Sequence, residues 1–130
     1  MSQTFTEQNG AGAFIVSEAN GSRSRGVVVM AGTAAIPANS VIHIPADGSE
    51  AVRFDGIDTD TNGTADAPAN GILIYGVAEG AGSHREAAVI VRDAEINVEE
   101  VSWLAALDDT AKALGVSGLK EVGIISLDAT

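Results

Sequence analysis

The residues best equipped for chemistry lie in "DGIDTDTNGTADAPANG", residues 55–71, where Asp58, Asp60, Asn62, Gly63, Thr64 and Asp66 fall at the spacing D-x-D-x-N-G-x-x-D. Oxygen ligands at alternate positions, with a glycine at the turn, begin a twelve-residue calcium loop that a bidentate Glu must close. Here the closing position holds Ala69, Pro68 interrupts the chain just before it, and the flanking "AVRF" and "GILIYG" read as strands where helices would stand. The competing reading is a solvated connection between strands, made of the residues that turns favour. Asp58, Asp60, Asn62, Thr64 and Asp66 are thus the candidate metal ligands of a calcium-binding adhesion module, and against the solvated loop a calcium titration is expected to be flat.

Catalysis needs an activated nucleophile beside a base that is itself held in place. The two histidines, His43 inside a strand-like run and His84 in the turn "GAGSHRE", sit in no motif that supplies such partners. Neither "EGAGSH" nor "EQNGAGAF" leads into a helix with a lysine where a phosphate cradle requires one. The expectation is no enzyme, no catalytic residue and no cofactor. Asn20-Gly21-Ser22 and Asn62-Gly63-Thr64 match a glycosylation acceptor, but the polar first ten residues carry no secretory signal to deliver it.

The composition excludes other classes. With 130 residues the chain suits one domain, and with no cysteine it has neither disulfides nor thiolate sites. Its apolar runs, such as "GVVVMAG", are too short to span a bilayer, so no membrane partner is expected. The net charge is −11, and the seven Lys and Arg are scattered from Arg23 to Lys120, which argues against nucleic acid. The charge is also uneven. Residues 1–45 balance Arg23 and Arg25 against Glu7 and Glu18, whereas residues 46–130 hold five basic and sixteen acidic residues and supply the whole −11.

The elements that must position these residues are mostly strands. "AFIVSEA" suits a short strand, "GVVVMA" a buried one, and "SVIHIP" one with Ile42 and Ile44 on one face and Val41 and His43 on the other. "EAVRF" precedes an Asp55-Gly56 turn. "GILIYGVA" looks buried on both faces, and "EAAVIVRDAEI" alternates Ala87, Val89 and Val91 against Ala88, Ile90 and Arg92. Asn97 and Glu100 form a capping box, with Ile96 and Val101 as its staple, which predicts a helix through "VEEVSWLAAL" ending near Asp108. Asp108 or Asp109 then caps a short piece, "TAKAL", that Gly115 ends. "VGIISL" is a final strand.

From "NGTADAPANGILIYGVAEG" through "AAVIVRDAEINVEEVSW" to "GIISLD", the chain resembles the bacteriophage head decoration protein family. The features are a Gly-Ile-Leu strand after an Asp- and Gly-rich loop, an apolar strand ending in Val-Arg-Asp-Ala-Glu, Trp103 about ten residues later, and a closing "GII"; the opening "FIVSEANGSRSR" is also similar. The resemblance implies a mainly β domain with short helices, of the β-clip or β-tulip type, that assembles as a homotrimer. It implies a virion protein, made in the host cytoplasm, whose partner is the major capsid protein. The trimer would sit outside the expanded head at three-fold positions and hold it against the pressure of packaged DNA. On this reading residues 1–25 are a flexible capsid-binding arm and residues 26–130 a single β-rich domain. Phe14, Ile15 and Val16 would form the pairing strand, Arg23 and Arg25 would meet acidic groups on the capsid protein, and Trp103 would be a packing anchor, at the trimer contact.

Overall fold

A computed structural model describes residues 11–19, 21–80 and 85–127. The expectations for residues 1–10 and for His84 fall outside these. The elements are β1 (Ile15–Glu18), the single turn α1 (Gly21–Ser24), β2 (Arg25–Val29), β3 (Val41–His43), β4 (Val52–Arg53), β5 (Gly71–Leu73), β6 (Glu86–Ile90), β7 (Ala94–Ile96), a 3-10 turn (Val98–Glu100), α2 (Asp109–Glu121) and β8 (Ile124–Ser126). The described residues are mainly β, as the sequence predicts.

Alternation along β6 explains the layering. Its pairing with β2 and β5 is antiparallel in a five-stranded sheet of order β2-β6-β5-β3-β4. Ala87 and Val89 point into one hydrophobic cluster, with Met30, Ile36, Ile42, Leu73 and Val77. Ala88 and Ile90 point into another, with Phe14, Phe54, Ile72, Ile74, Ile96, Leu119 and Ile124. A central strand with a core on each face must be apolar throughout, and Gly71, Ile72, Leu73 and Ile74 are all buried, as expected. A parallel bridge between Met30 and Ala51 brings the ends of the sheet together. The first cluster is therefore wrapped by a sheet that nearly closes on itself.

The second cluster is roofed by a three-stranded sheet of order β1-β7-β8, with β1 antiparallel and β8 parallel to β7, and by α2. Residues 15–18, which the sequence assigns to the arm, belong to this sheet. Phe14 is fully buried, and its carbonyl accepts from Asn97 N at 2.8 Å.

Three expectations need correction. β2 is not a buried strand: it lies at a sheet edge, and Val27 is 69% exposed. The helix through "VEEVSWLAAL" is only the turn Val98–Glu100. Asn97 does cap it, accepting from Glu99 N at 3.0 Å, but Val101 is already extended (φ −87°, ψ 158°). There the chain bridges Ser40 through Ser102, whose N–H donates to Asn39 O at 2.8 Å and whose carbonyl accepts from Val41 N at 3.2 Å. Tertiary pairing overrides the local helix signal. Lastly, "TAKAL" does not stop at Gly115. Asp108 caps α2 by accepting from Ala111 N, and the helix runs on to Glu121, with the left-handed Gly123 (φ 85°) just beyond it. Gly115 serves packing instead, since a Cβ there would come within 2.6 Å of the Trp103 ring.

Candidate interaction surfaces

The Asp58–Asp66 loop is held by its own hydrogen bonds. Asp58 accepts from Asn62 N (3.3 Å) and Gly63 N (3.0 Å), Asp60 accepts from Asn62 N (3.2 Å) and Asn62 Nδ2 (3.2 Å), and Asn62 Oδ1 accepts from Thr64 N (2.8 Å). Across the loop, Asp66 accepts from Thr59 Oγ1 at 2.8 Å. These turns gather Asp58, Asp60 and Asp66 so that one carboxylate oxygen from each lies within 4.8 Å of the others. Desolvation pushes the Asp58 carboxyl up, but the donors Gly63, Asn62 and Thr61 and the neighbouring Asp60 together hold it below its usual range. The loop thus has a complete account as a hydrogen-bonded connector, with the Asp58 carboxylate stabilised as an anion chiefly by backbone amides.

His43 is part of the fold: its Nδ1 lies 2.8 Å from Pro68 O. Trp103 packs edge-to-face on Phe54, with ring centroids 6.2 Å apart at 65°, and stays half-buried at the margin of the second cluster. That is the arrangement of a packing anchor.

The five proposed contact residues part into two groups. Phe14 and Ile15 face the chain's own core, whereas Val16 is 53% exposed on β1, an edge strand of its sheet. Its register with β7 slips at this point, Ile15 facing Ile96 and Ser17 facing Glu95. Such a bulge gives Val16 no partner in the ladder. The two arginines have partners within the chain. Arg25 donates through Nε and Nη2 to Glu18, whose carboxylate also accepts from Ser24 Oγ. The Arg25 hydrogen bond, then that of Ser24, holds the Glu18 carboxyl below its usual range despite some desolvation. Arg23 lies 3.5 Å from Asp93 with both side chains largely exposed, and its carbonyl accepts from Arg92 Nη1. An exposed pair of this kind is worth little in isolation, so Arg23 can change partners cheaply.

Sequence reasoning missed two further arginines, Arg85 and Arg53. Arg85 is 1% exposed, and its guanidinium donates to the carbonyls of Ala34 (2.7 Å), Ala78 (2.9 Å), Ala31 (3.0 Å) and Met30 (3.4 Å). Arg53 Nη2 donates to Ser102 Oγ at 3.1 Å and to Ser102 O at 3.3 Å. No local pattern announces either burial: Arg85 simply follows a Gly- and Ser-rich turn, and Arg53 sits in a short strand.

A family model described as Bacteriophage lambda head decoration protein D matches residues 4–124 of the 130-residue chain. No curated protein matches it.

Proposed function

This chain belongs to the bacteriophage lambda head decoration protein D family, and on that premise we propose that it binds the outside of the expanded phage head as a homotrimer at three-fold positions and stabilises the shell. The observation that carries this reading is the family match over residues 4–124. It bears out the resemblance carried by "VRDAE", Trp103 and the closing "GII", and it implies a structural protein of the virion that binds the capsid. No helix among the described residues is long and apolar enough to cross a membrane.

The contact is proposed to be strand addition by the major capsid protein near β1, using its edge position and the exposed Val16. Phe14 and Ile15 anchor that strand to the core, and Arg23 and Arg25 meet acidic groups of the partner by exchanging Asp93 and Glu18. Whatever part of the proposed capsid-binding arm, residues 1–25, is ordered on binding carries an entropic cost. Ordering ten residues costs on the order of 10–20 kcal/mol of backbone entropy, which new hydrogen bonds and burial must offset. One arm holds weakly, but a trimer makes the second and third attachments intramolecular. The half-buried Trp103 is proposed to complete its burial against a neighbouring subunit.

A calcium-binding reading is favoured by one observation, the convergence of Asp58, Asp60 and Asp66. The amide donors that already hold those carboxylates make the connector the better account.

Co-sedimentation with expanded heads of the parent phage, repeated in chelator, separates the two. Saturable binding unaffected by chelator is expected; absence of binding, or binding lost in chelator, overturns the decoration reading as stated.

A further inference from the structure

Beside β4 a recess of ≈ 440 Å³ is lined by the 31–36 loop, Val52, Arg53, Arg85 and Leu104. Its chemistry is the reverse of the chain's. Eighteen acidic residues give the protein a charge of −11, yet among the described residues none lines this recess, while two basic residues do. Among the described residues Arg85 has no anionic partner: its hydrogen bonds go to the carbonyls of Met30, Ala31, Ala34 and Ala78, which satisfy its donors without cancelling its charge. Arg53 is less complete. Its Nη2 is fixed on Ser102, but its Nε is buried without a hydrogen-bond partner among the described residues. A buried donor on a cation is costly to leave unmade, and desolvation already pulls this guanidinium below the usual arginine range.

We propose that this recess is a carboxylate-binding site in which Arg53, backed by the uncancelled charge of Arg85, receives an acidic side chain of another protein chain. A guanidinium edge presents two parallel N–H groups that match the two oxygens of a carboxylate. Receiving such a ligand requires Arg53 to turn away from Ser102 so that the buried Nε meets it together with Nη2. Ile36, the 42% exposed Val52 and Leu104 supply apolar wall for the stem that carries the acid. A protein carboxylate suits this wall better than a free phosphate, which has no apolar stem to lay against it. The site stands on these residues alone, independently of the decoration reading.

The test follows the Arg53 Nε–H resonance by NMR in the full-length protein during titration with sodium acetate, against sodium chloride at equal ionic strength. A saturable shift of Arg53 with acetate alone supports the site; no shift, or an equal shift with chloride, overturns it. Sedimentation of Arg53→Lys, checked for an unchanged melting curve, then finds the source of the acid. A loss of about tenfold or more in self-association identifies a second copy of this chain, and the same loss in head binding alone identifies a capsid subunit. If neither falls, the proposed protein ligand is wrong. The wild-type titration decides the site even if Arg53→Lys folds poorly. Failure of the wild-type protein to bind heads, with acetate saturation intact, counts against the decoration reading and not against this site.

Discussion

The α2 backbone at Gly118 runs so close to Ala69 that a Cβ on Gly118 would lie 2.7 Å from the Ala69 carbonyl oxygen. This contact seats the helix on the strand connection just before β5, and neither side of it is a flexible side-chain end.

Gly118→Ala is therefore expected to destabilise the protein. Alanine improves intrinsic helix stability by about 1 kcal/mol, but forcing two backbones apart costs about 1–3 kcal/mol or more. Gly115→Ala meets the Trp103 ring at 2.6 Å and Phe54 at 2.9 Å, and the half-buried Trp103 can yield, so a smaller loss is expected. Urea midpoints at unchanged m value give the order; a Gly118→Ala protein more stable than wild type would refute the close-packing account.

Truncation should depend sharply on where it stops. Removing residues 1–10 leaves Phe14 and β1 in place, so the melting transition should persist while head binding weakens. Removing residues 1–16 also deletes the fully buried Phe14, and Phe14→Ala alone is expected to cost about 3–5 kcal/mol. Equal stability of the two truncations would show that Phe14 does not belong to the core.

Glu18 links stability to pH. Its carboxyl is held below its usual range chiefly by Arg25 and then by Ser24, so the unfolded chain binds its proton more readily. The contribution is fully present above the ordinary carboxylate range, declines as pH falls through it, and is gone below the lowered value. Comparing wild type with Glu18→Gln in urea between about pH 6 and pH 2 should show the two converging as acid is added. A difference that grows towards low pH would reverse the assignment.

Calcium at millimolar levels is expected to leave the melting temperature unchanged, because a ligand that binds only the folded state must raise it. A rise that the Asp58→Ala, Asp60→Ala pair abolishes would establish the cation site. In calcium-free buffer the same pair should melt slightly earlier, since Asn62 N and Gly63 N lose their acceptors.

Where one residue's surroundings follow from its neighbours in sequence, the fold was legible. β5 announced its two-sided burial through an unbroken apolar run, β6 announced its strand through alternation, Asp108 announced α2, and the Asp58–Asp66 spacing predicted a tight polar loop. What escaped depended on distant chain. The helix expected after Asn97 gave way to a bridge with Ser40, and Gly115 looked like a terminator because Trp103, its packing partner, cannot be placed from sequence. β2 looked buried because a run of valines does not reveal that its strand lies at an edge. The buried Arg85 and the partly buried Arg53 were invisible for the same reason: most of their acceptors, the carbonyls of Met30, Ala31 and Ala34 and the hydroxyl and carbonyl of Ser102, come from distant chain.

The β1-β7-β8 sheet joins residues 15–18, 94–96 and 124–126, and a hydrogen bond between Ser17 and Glu95 spans 78 positions. Contacts between such distant stretches of chain form late and slowly in folding. Because β8 contributes Ile124 to the shared core, a nascent chain cannot roof that core until β8 has left the ribosome. The sheet that carries the β1 edge is therefore completed only once β8 has emerged, which gives shorter nascent chains no completed surface with which to compete.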